Sequence, residues 1–202
     1  MFAEKPKRKE NVFQDELLDG EEILWTGQGD KWKLLAAPDL YLIPFSLFWC
    51  SIVFSFWTGG FPNLFILPHT LIGLYMLFGR YIVKFWHKQH TYYAVTNHRL
   101  MILSQSFGQH LTTYDVSKLP ALKKSIGMNG VGSIVFGVEP EYRWWQRKQY
   151  NMSNSGTEMF GYTLPGFYDI HDAEDVYRMI AQMAHQTTYS PVEKAKPVYL
   201  PR

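Results

Sequence analysis

Two neighbouring apolar runs constrain the fold of this 202-residue chain more than any other feature. They extend from Leu40 to Trp57 and from Phe61 to Phe78, and each holds eighteen residues without an Asp, Glu, Lys or Arg. A helix needs about 20 apolar residues to cross a bilayer. The alternative is a pair of core helices, but a domain of this size does not need to bury two such runs. The runs therefore predict a transmembrane helical hairpin over residues 39–83, with spans at 40–57 and 61–82.

The placement of lysine and arginine predicts the orientation of this hairpin. Basic residues precede the first run and follow the second, whereas residues 58–63 between them have none. Because Lys and Arg are enriched on the cytoplasmic side of membrane proteins, both termini are expected to be cytoplasmic. The basic residues that carry this prediction are Lys5, Lys7, Arg8, Lys9, Lys31 and Lys33 before the hairpin and Arg80, Lys84, Lys88 and Arg99 after it.

The sequence after the second run has the composition of short β-strands. Thr91–Thr96 and Arg99–Ser104 are β-branched and aromatic runs around Asn97 and His98, and Asn readily takes the positive φ of a tight hairpin turn. Further strands are expected between glycines and prolines, at His110–Val116, Ala121–Ile126, Val131–Val138 and Thr157–Leu164. Short strands followed by one helix predict a small sheet or barrel closed by that helix.

The closing helix is expected to begin at Asp172, a good N-cap residue with acidic residues in the first turn after it. One helical face is apolar and is expected to pack on the sheet; it carries Ala173, Val176, Tyr177, Ile180 and Ala184. Residues 187–202 contain three prolines and no period, so a loose tail is predicted there, and residues 1–15 are read as a polar N-terminal tail.

Several segments, taken in order, resemble bacterial membrane proteins that contain a pleckstrin-homology-like domain. The similarity covers about residues 16–186 and rests on the two-helix hairpin and on four short segments: DGEEILWTGQ at Asp19–Gln28, YAVTNHRL at Tyr93–Leu100, SIVFG at Ser133–Gly137, and PGFYDI at Pro165–Ile170. The resemblance implies an α+β fold in which a curved seven-stranded antiparallel β-sheet or barrel, residues 84–186, is capped by a C-terminal helix. It implies neither an enzymatic activity nor a cofactor. It also implies the bacterial inner membrane as the location.

The same resemblance gives a role to the segment that precedes the hairpin, residues 16–38. Glu22–Gln28 has strand composition and is expected to form the first strand of the sheet, so that the hairpin is inserted between the first and second strands. The alternative is a segment that lies on the lipid surface through Trp25 and Trp32. Two departures weaken inferences about a ligand: His98 stands where a second basic residue is expected before Arg99, and residues 139–155 form a long insertion.

His69 follows Pro68 near the middle of the second predicted span. An ionisable group at that depth is a site hypothesis by default. Two interpretations stay open: a neutral packing histidine bonded to Ser51 or Ser55 of the first span, or a proton or substrate site in an oligomeric membrane enzyme or transporter subunit. No carboxylate or second histidine accompanies it in either span, which favours packing.

The sequence contains no recognisable catalytic or metal-binding motif. The glycines of Gly127–Ser133 resemble a phosphate loop only in number, because no Lys-Ser/Thr pair ends the segment and a strand is expected to follow. His87, His90 and His98 have no Asp, Glu or Cys at ligand spacing. Cys50 is the single cysteine, which excludes a disulfide framework. We therefore predict no enzyme activity, no cofactor and no metal.

The insertion is the most suggestive polar feature, because basic residues alternate with aromatic ones in it. Such a composition suits an anionic lipid surface, where rings enter the interface and cations meet phosphates. The alternatives are a packed surface loop and a single-stranded nucleic acid site. A net charge of +2 is too small to favour nucleic acid. The candidate lipid contacts are Arg143, Trp144, Trp145, Arg147 and Lys148.

Together these features predict a membrane-anchored cytoplasmic binding or scaffolding module whose ligand the sequence does not name. The membrane is its expected partner, with a further protein or a second copy of the chain as additional candidates and no nucleic acid.

Overall fold

The computed structural model has a mixed α+β fold with two antiparallel sheets, neither of them closed, and two long apolar helices. The residues that it describes are 12–36, 38–60, 63–106, 108–127, 129–137, 153–158 and 163–189.

The two apolar helices are long enough to cross a membrane. Helix α1 covers Asp39–Thr58. The second helix is continuous and consists of α2 at Asn63–Leu74, a π-helical turn at Tyr75–Gly79 and α3 at Arg80–Gln89. It extends beyond the end predicted at residue 82, because the basic residues that follow are buried against the rest of the protein instead of lying in water.

Large apolar side chains are exposed around α1 and α2. The contact between the two helices involves few residues. Val53 and Ile66 are buried there, and Gly73 lies so close to α1 that a Cβ on it would be 2.9 Å from Cys50 Sγ. A helix that is apolar on all sides suits apolar surroundings. The exposed residues include Leu40, Phe45, Leu47, Phe48, Phe54, Leu64, Phe65, Leu71, Ile72 and Leu74.

Seven strands are found in the described residues. The first sheet has the order β1-β2-β3-β4, with β1 at Ile23–Gly27, β2 at Thr91–Thr96, β3 at Arg99–Ser104 and β4 at His110–Asp115. The second has the order β5-β6-β7, with β5 at Lys123–Ile126, β6 at Gly132–Val135 and β7 at Gly166–Ile170. One antiparallel bridge, between Gly29 and Ile170, connects the segment after β1 to β7.

Helix α4, Ala173–Tyr189, packs its apolar face against the core between the sheets. Phe167 lies at the centre of this core, with ring centroids 5.9 Å from Trp25, 4.9 Å from Tyr93 and 5.2 Å from Phe136. These rings come from all parts of the chain, so the strand before the hairpin and the strands after it share one core.

Several predicted elements are confirmed. Ile23–Gly27 pairs with β2, as expected if the helical hairpin is inserted between the first and second strands. Strand β2 pairs with β3 around Asn97 and His98. In α4, Ala173, Val176 and Ile180 are buried as predicted.

Other predictions need correction. The strand predicted at Thr157–Leu164 is absent from the described part of that segment, and the chain pairs with β6 only from Gly166 onward. Asn97 does not have a positive φ, because the Thr96 side chain accepts from the N–H of Arg99 (3.0 Å) and so fixes the turn. Helix α4 continues past Gln186 to Tyr189, inside the predicted tail.

We expect Trp25→Ala to lower the free energy of unfolding by about 3–5 kcal/mol, because it empties a site in the shared core. Trp25 is 9% exposed, whereas Trp32, in the same segment, is 72% exposed. Trp32→Ala is therefore the matched control and should cost less than about 1 kcal/mol. Denaturant unfolding of the full chain in detergent, followed by circular dichroism, measures both. Equal losses would contradict the role of β1 in the core.

Candidate functional site

A column of three basic side chains lies on one face of α3. Arg80 is fully buried, and Lys84 and Lys88 are 2% and 6% exposed. Residues four apart share a helix face, so the three are stacked along the helix. The opposite face carries Ile82 and Trp86, which are 69% and 49% exposed. Helix α3 therefore has the reverse of the usual arrangement, with its cations inside and its apolar side chains outside. We call Arg80, Lys84 and Lys88 the basic column.

Arg80, the first residue of α3, joins α3 to the start of α1. Its Nη1 pairs with the buried Asp39 carboxylate, its Nη2 donates to Tyr81 Oη (2.7 Å) and its Nε donates to the Met76 carbonyl (2.8 Å). The other carboxylate oxygen of Asp39 accepts from Ala36 N–H (2.5 Å). Each polar atom of this pair thus has a partner, which a buried charge requires.

Lys88 joins α3 to the second sheet. Its Nζ lies 2.6 Å from Asp169 Oδ2 and donates to the carbonyls of Asp30 (3.0 Å) and Lys33 (2.6 Å). Asp169 Oδ1 accepts from Lys33 Nζ at 2.9 Å, and Asn154 Nδ2 donates to Oδ2 at 2.5 Å. The Asp169 carboxylate thus connects three segments: the one before α1, the end of α3 and the turn at 153–158.

The backbone of Asp169 is held as firmly as its side chain. Its N–H donates to Ser133 Oγ (3.0 Å), its carbonyl accepts from Asp30 N–H (2.6 Å), and its φ is +52°, an uncommon value for a residue other than glycine. Burial alone would raise the pKa of the Asp169 carboxyl, but the hydrogen bonds from Lys33 and Lys88 outweigh burial and hold that pKa below its ordinary value. Asp169 is therefore a charged anchor at neutral pH.

The turn at 153–158 packs directly on the basic column. Tyr75 Oη donates to the Gly156 carbonyl (2.6 Å), and a Cβ on Gly156 would lie 2.1 Å from the Arg80 carbonyl oxygen. Gly156 also has a φ of +82°, so glycine is required there for both conformation and space.

Ser153, Asn154 and Tyr168 line two cavities beside this polar cluster. The larger, about 690 Å³, opens beside the start of α1 and is also lined by Lys33 and Asp169. The smaller, about 260 Å³, lies against α3 and is lined by Lys84, His87, Lys88, Thr91 and Glu158 among others.

A third ion pair, between the buried Glu21 and Arg99, fixes the N-terminal segment to the β2–β3 turn. The Glu21 carboxylate accepts from Arg99 Nε (2.8 Å) and Nη2 (2.9 Å), from Thr96 Oγ1 (2.6 Å) and from Leu18 N–H (2.9 Å). Burial opposes ionisation, but these hydrogen bonds lower the pKa of Glu21 to about 2. Arg99 is thus a structural partner, and His98 before it is exposed.

His69 lines an apolar groove of about 480 Å³ between α1 and α2. Its Nδ1 lies 3.1 Å from the Phe65 carbonyl of its own helix, and its ring stacks on Trp49 at 5.9 Å. Its described contacts are thus with its own helix and Trp49, whereas the predicted partners Ser51 and Ser55 donate to carbonyls one turn earlier in α1.

The remaining candidates are the predicted lipid contacts and the histidines that follow the hairpin. Arg143, Trp144, Trp145, Arg147 and Lys148 lie outside the described residues. His87 lies 3.0 Å from Thr91 Oγ1 and His90 stacks on Trp86, so each histidine has a local contact. Among the described residues, no group of three His, Cys, Asp or Glu could hold a metal ion. The described residues of Gly127–Ser133 form the turn between β5 and β6 and the first two residues of β6.

Sequence reasoning missed the basic column and its two carboxylates. The four-residue spacing of Arg80, Lys84 and Lys88 indicates that they share one helix face. In the sequence these residues were used only to predict the orientation of the hairpin in the membrane. Asp39 and Asp169 had no local signal, because both acquire their roles through contacts with distant segments.

Comparison with protein-family models, curated proteins and solved structures found nothing that matches this chain.

We expect Asp169→Asn to lower the free energy of unfolding by about 3–5 kcal/mol, because it leaves the buried Lys88 ammonium without its counter-charge. Glu174→Gln is the matched control: Glu174 pairs with Lys124 at 2.6 Å, but both side chains are more than a third exposed. An exposed pair contributes about 0–1 kcal/mol. Thermal unfolding of the full chain in detergent distinguishes the two, and a loss of less than 1 kcal/mol in Asp169→Asn would contradict its role as an anchor.

Proposed function

We propose that this chain is a membrane-anchored binding or scaffolding module, in which the hairpin crosses the inner membrane of a bacterium and holds a pleckstrin-homology-like domain at its cytoplasmic surface. The observation that carries this proposal is the reversed arrangement of α3. Its basic face is bonded to the domain, whereas its outer face continues the exposed apolar surface of the two long helices.

The aromatic residues at the level of α3 support a position at the lipid interface. Trp86 is exposed on the outer face of α3, and the largely exposed Trp32 packs on Phe85 with ring centroids 5.5 Å apart. Tryptophan is enriched where the hydrocarbon meets the polar headgroups. The basic residues on both sides of the hairpin, and their absence from residues 58–63, favour a cytoplasmic position for the domain.

The order of the strands supports the pleckstrin-homology-like assignment. The chain passes from β1 into the hairpin and returns as β2, which pairs with β1. Four strands form one sheet, three form the next, and the C-terminal helix packs on the core between them. A domain that receives the hairpin between two paired strands is held to it at both ends, as a scaffold requires.

We propose a binding role without catalysis, since the sequence carries no catalytic motif. Within this proposal, Arg143, Trp144, Trp145, Arg147 and Lys148 contact lipid headgroups. The hairpin already confines the domain near the bilayer, so weak contacts of about 1 kcal/mol per cation suffice to orient it. The second candidate is an oligomeric membrane enzyme or transporter subunit. Its one support is that His69 lines an apolar groove between the two long helices.

Labelling of single cysteines tests the topology. In a Cys50→Ser background, Thr58→Cys places a thiol at the tip of the hairpin, and Lys118→Cys places one in the domain, where the native side chain is 83% exposed. We expect a membrane-impermeant maleimide to label the Thr58→Cys protein in intact cells and the Lys118→Cys protein only after lysis. Labelling of both, or of Lys118→Cys alone, in intact cells would contradict the proposal.

A further inference from the structure

Lys84 differs from the other two members of the basic column in its bonding. A lysine ammonium has three N–H donors. Those of Lys88 reach a carboxylate and two carbonyls, and Arg80 reaches a carboxylate, a carbonyl and a hydroxyl. Lys84 has one partner among the described residues, the carbonyl of Leu34, and no carboxylate within ion-pair distance.

An ammonium with this environment is unfavourable unless something else binds it. Lys84 is 2% exposed, so water does not replace the missing partners at the protein surface. Buried charges are normally paired, and breaking such a pair is strongly destabilising. Lys84 is therefore a buried cation whose hydrogen-bonding capacity the described protein leaves largely unused.

The small cavity against α3 lies beside this cation. It has a volume of about 260 Å³, and Lys84 and Lys88 line it from the helix while Thr91 and Ile102 line it from β2 and β3. Glu158 lines it too, but its Oε1 accepts from the N–H groups of Ser155 (2.9 Å) and Gly156 (3.1 Å) in its own turn. The one carboxylate that faces the cavity from this turn is thus bound by backbone donors and forms no ion pair with Lys84.

We propose that this cavity binds a small soluble anion, whose phosphate or carboxylate group takes the position of the counter-charge that Lys84 lacks. Lys88 and Thr91 line the same wall, but their donors are already bound by Asp30, Lys33, Asp169 and His87, so Lys84 is the group that holds the anion. The volume lies below the roughly 300–1,000 Å³ of pockets for drug-sized ligands, which limits the anion to a few heavy atoms. This inference deepens the proposed binding function by naming a ligand class, and its test does not depend on the orientation in the membrane.

The test is thermal unfolding of the full chain in detergent, with inorganic phosphate or succinate compared with chloride at equal ionic strength. We expect phosphate or succinate at ten times its Kd to raise the Tm of the wild type by about 3–6 °C. Lys84→Met should lose this response, and its Tm without added anion should equal or exceed that of the wild type, because it removes an unpaired buried charge. Lys118→Met, which removes an exposed cation, should respond as the wild type does.

A second variant keeps the proposal testable if Lys84→Met does not fold. Ile102→Phe enlarges a partly buried side chain that lines the cavity from β3, changes no charge and should also abolish the response. A wild type that responds to neither anion would overturn the proposal. So would a Lys84→Met or Ile102→Phe protein that responds as strongly as the wild type. Either result would leave the cysteine-labelling test of the membrane anchor unaffected.

Discussion

The pairing of buried cations on α3 with carboxylates from distant segments is the interaction on which the rest of the structure depends. Removing a charge from water costs several kcal/mol, and a well-bonded counter-charge offsets that cost only in a defined geometry. Asp39 meets Arg80 where α1 and α3 begin, and Asp169 meets Lys88 where α3 ends. Because each carboxylate also binds backbone or side chains of a further segment, the helix, the segment before α1 and the second sheet become one unit.

The same constraint explains why α3 exposes its apolar face. A helix on the surface of a soluble domain points its charges outward. With all three cations directed inward, only apolar and aromatic side chains are left for the outside, and Ile82 and Trp86 occupy that face. In water this would be an exposed hydrophobic patch. In the proposed membrane position it continues the exposed apolar surface of the two long helices, so the charge pairs and the proposed position follow from one arrangement.

Hydrophobic runs and strand composition predicted the elements whose structure depends on nearby residues. The charge-free runs specified both apolar helices, and the composition of Thr91–Ser104 specified the β2–β3 hairpin. The strand at Glu22–Gln28 was predictable from composition, but its pairing with β2 rested on a resemblance. The turn at Asn97 was mispredicted because the Thr96 hydroxyl, and not a positive φ, fixes it.

The candidate site was largely unpredictable, for a physical reason. Lys84 and Lys88 read as cytoplasmic flanks of a span, and nothing near Asp169 in sequence identifies a lysine 81 residues away as its partner. The predicted strand at Thr157–Leu164 failed for a related reason: part of that segment belongs to the turn that covers the basic column, and tertiary contacts there outweigh strand propensity.

The distance between the hairpin and the domain tests most directly whether the buried charge pairs hold them as one unit. Spin labels on Thr58→Cys and Lys118→Cys, in a Cys50→Ser chain reconstituted in lipid nanodiscs, report it by pulsed electron paramagnetic resonance. The account predicts one narrow distance distribution, which broadens when Asp169→Asn removes the partner of Lys88 and stays narrow in the Glu174→Gln control. A broad distribution in the parent chain, or a narrow one in folded Asp169→Asn protein, would contradict it.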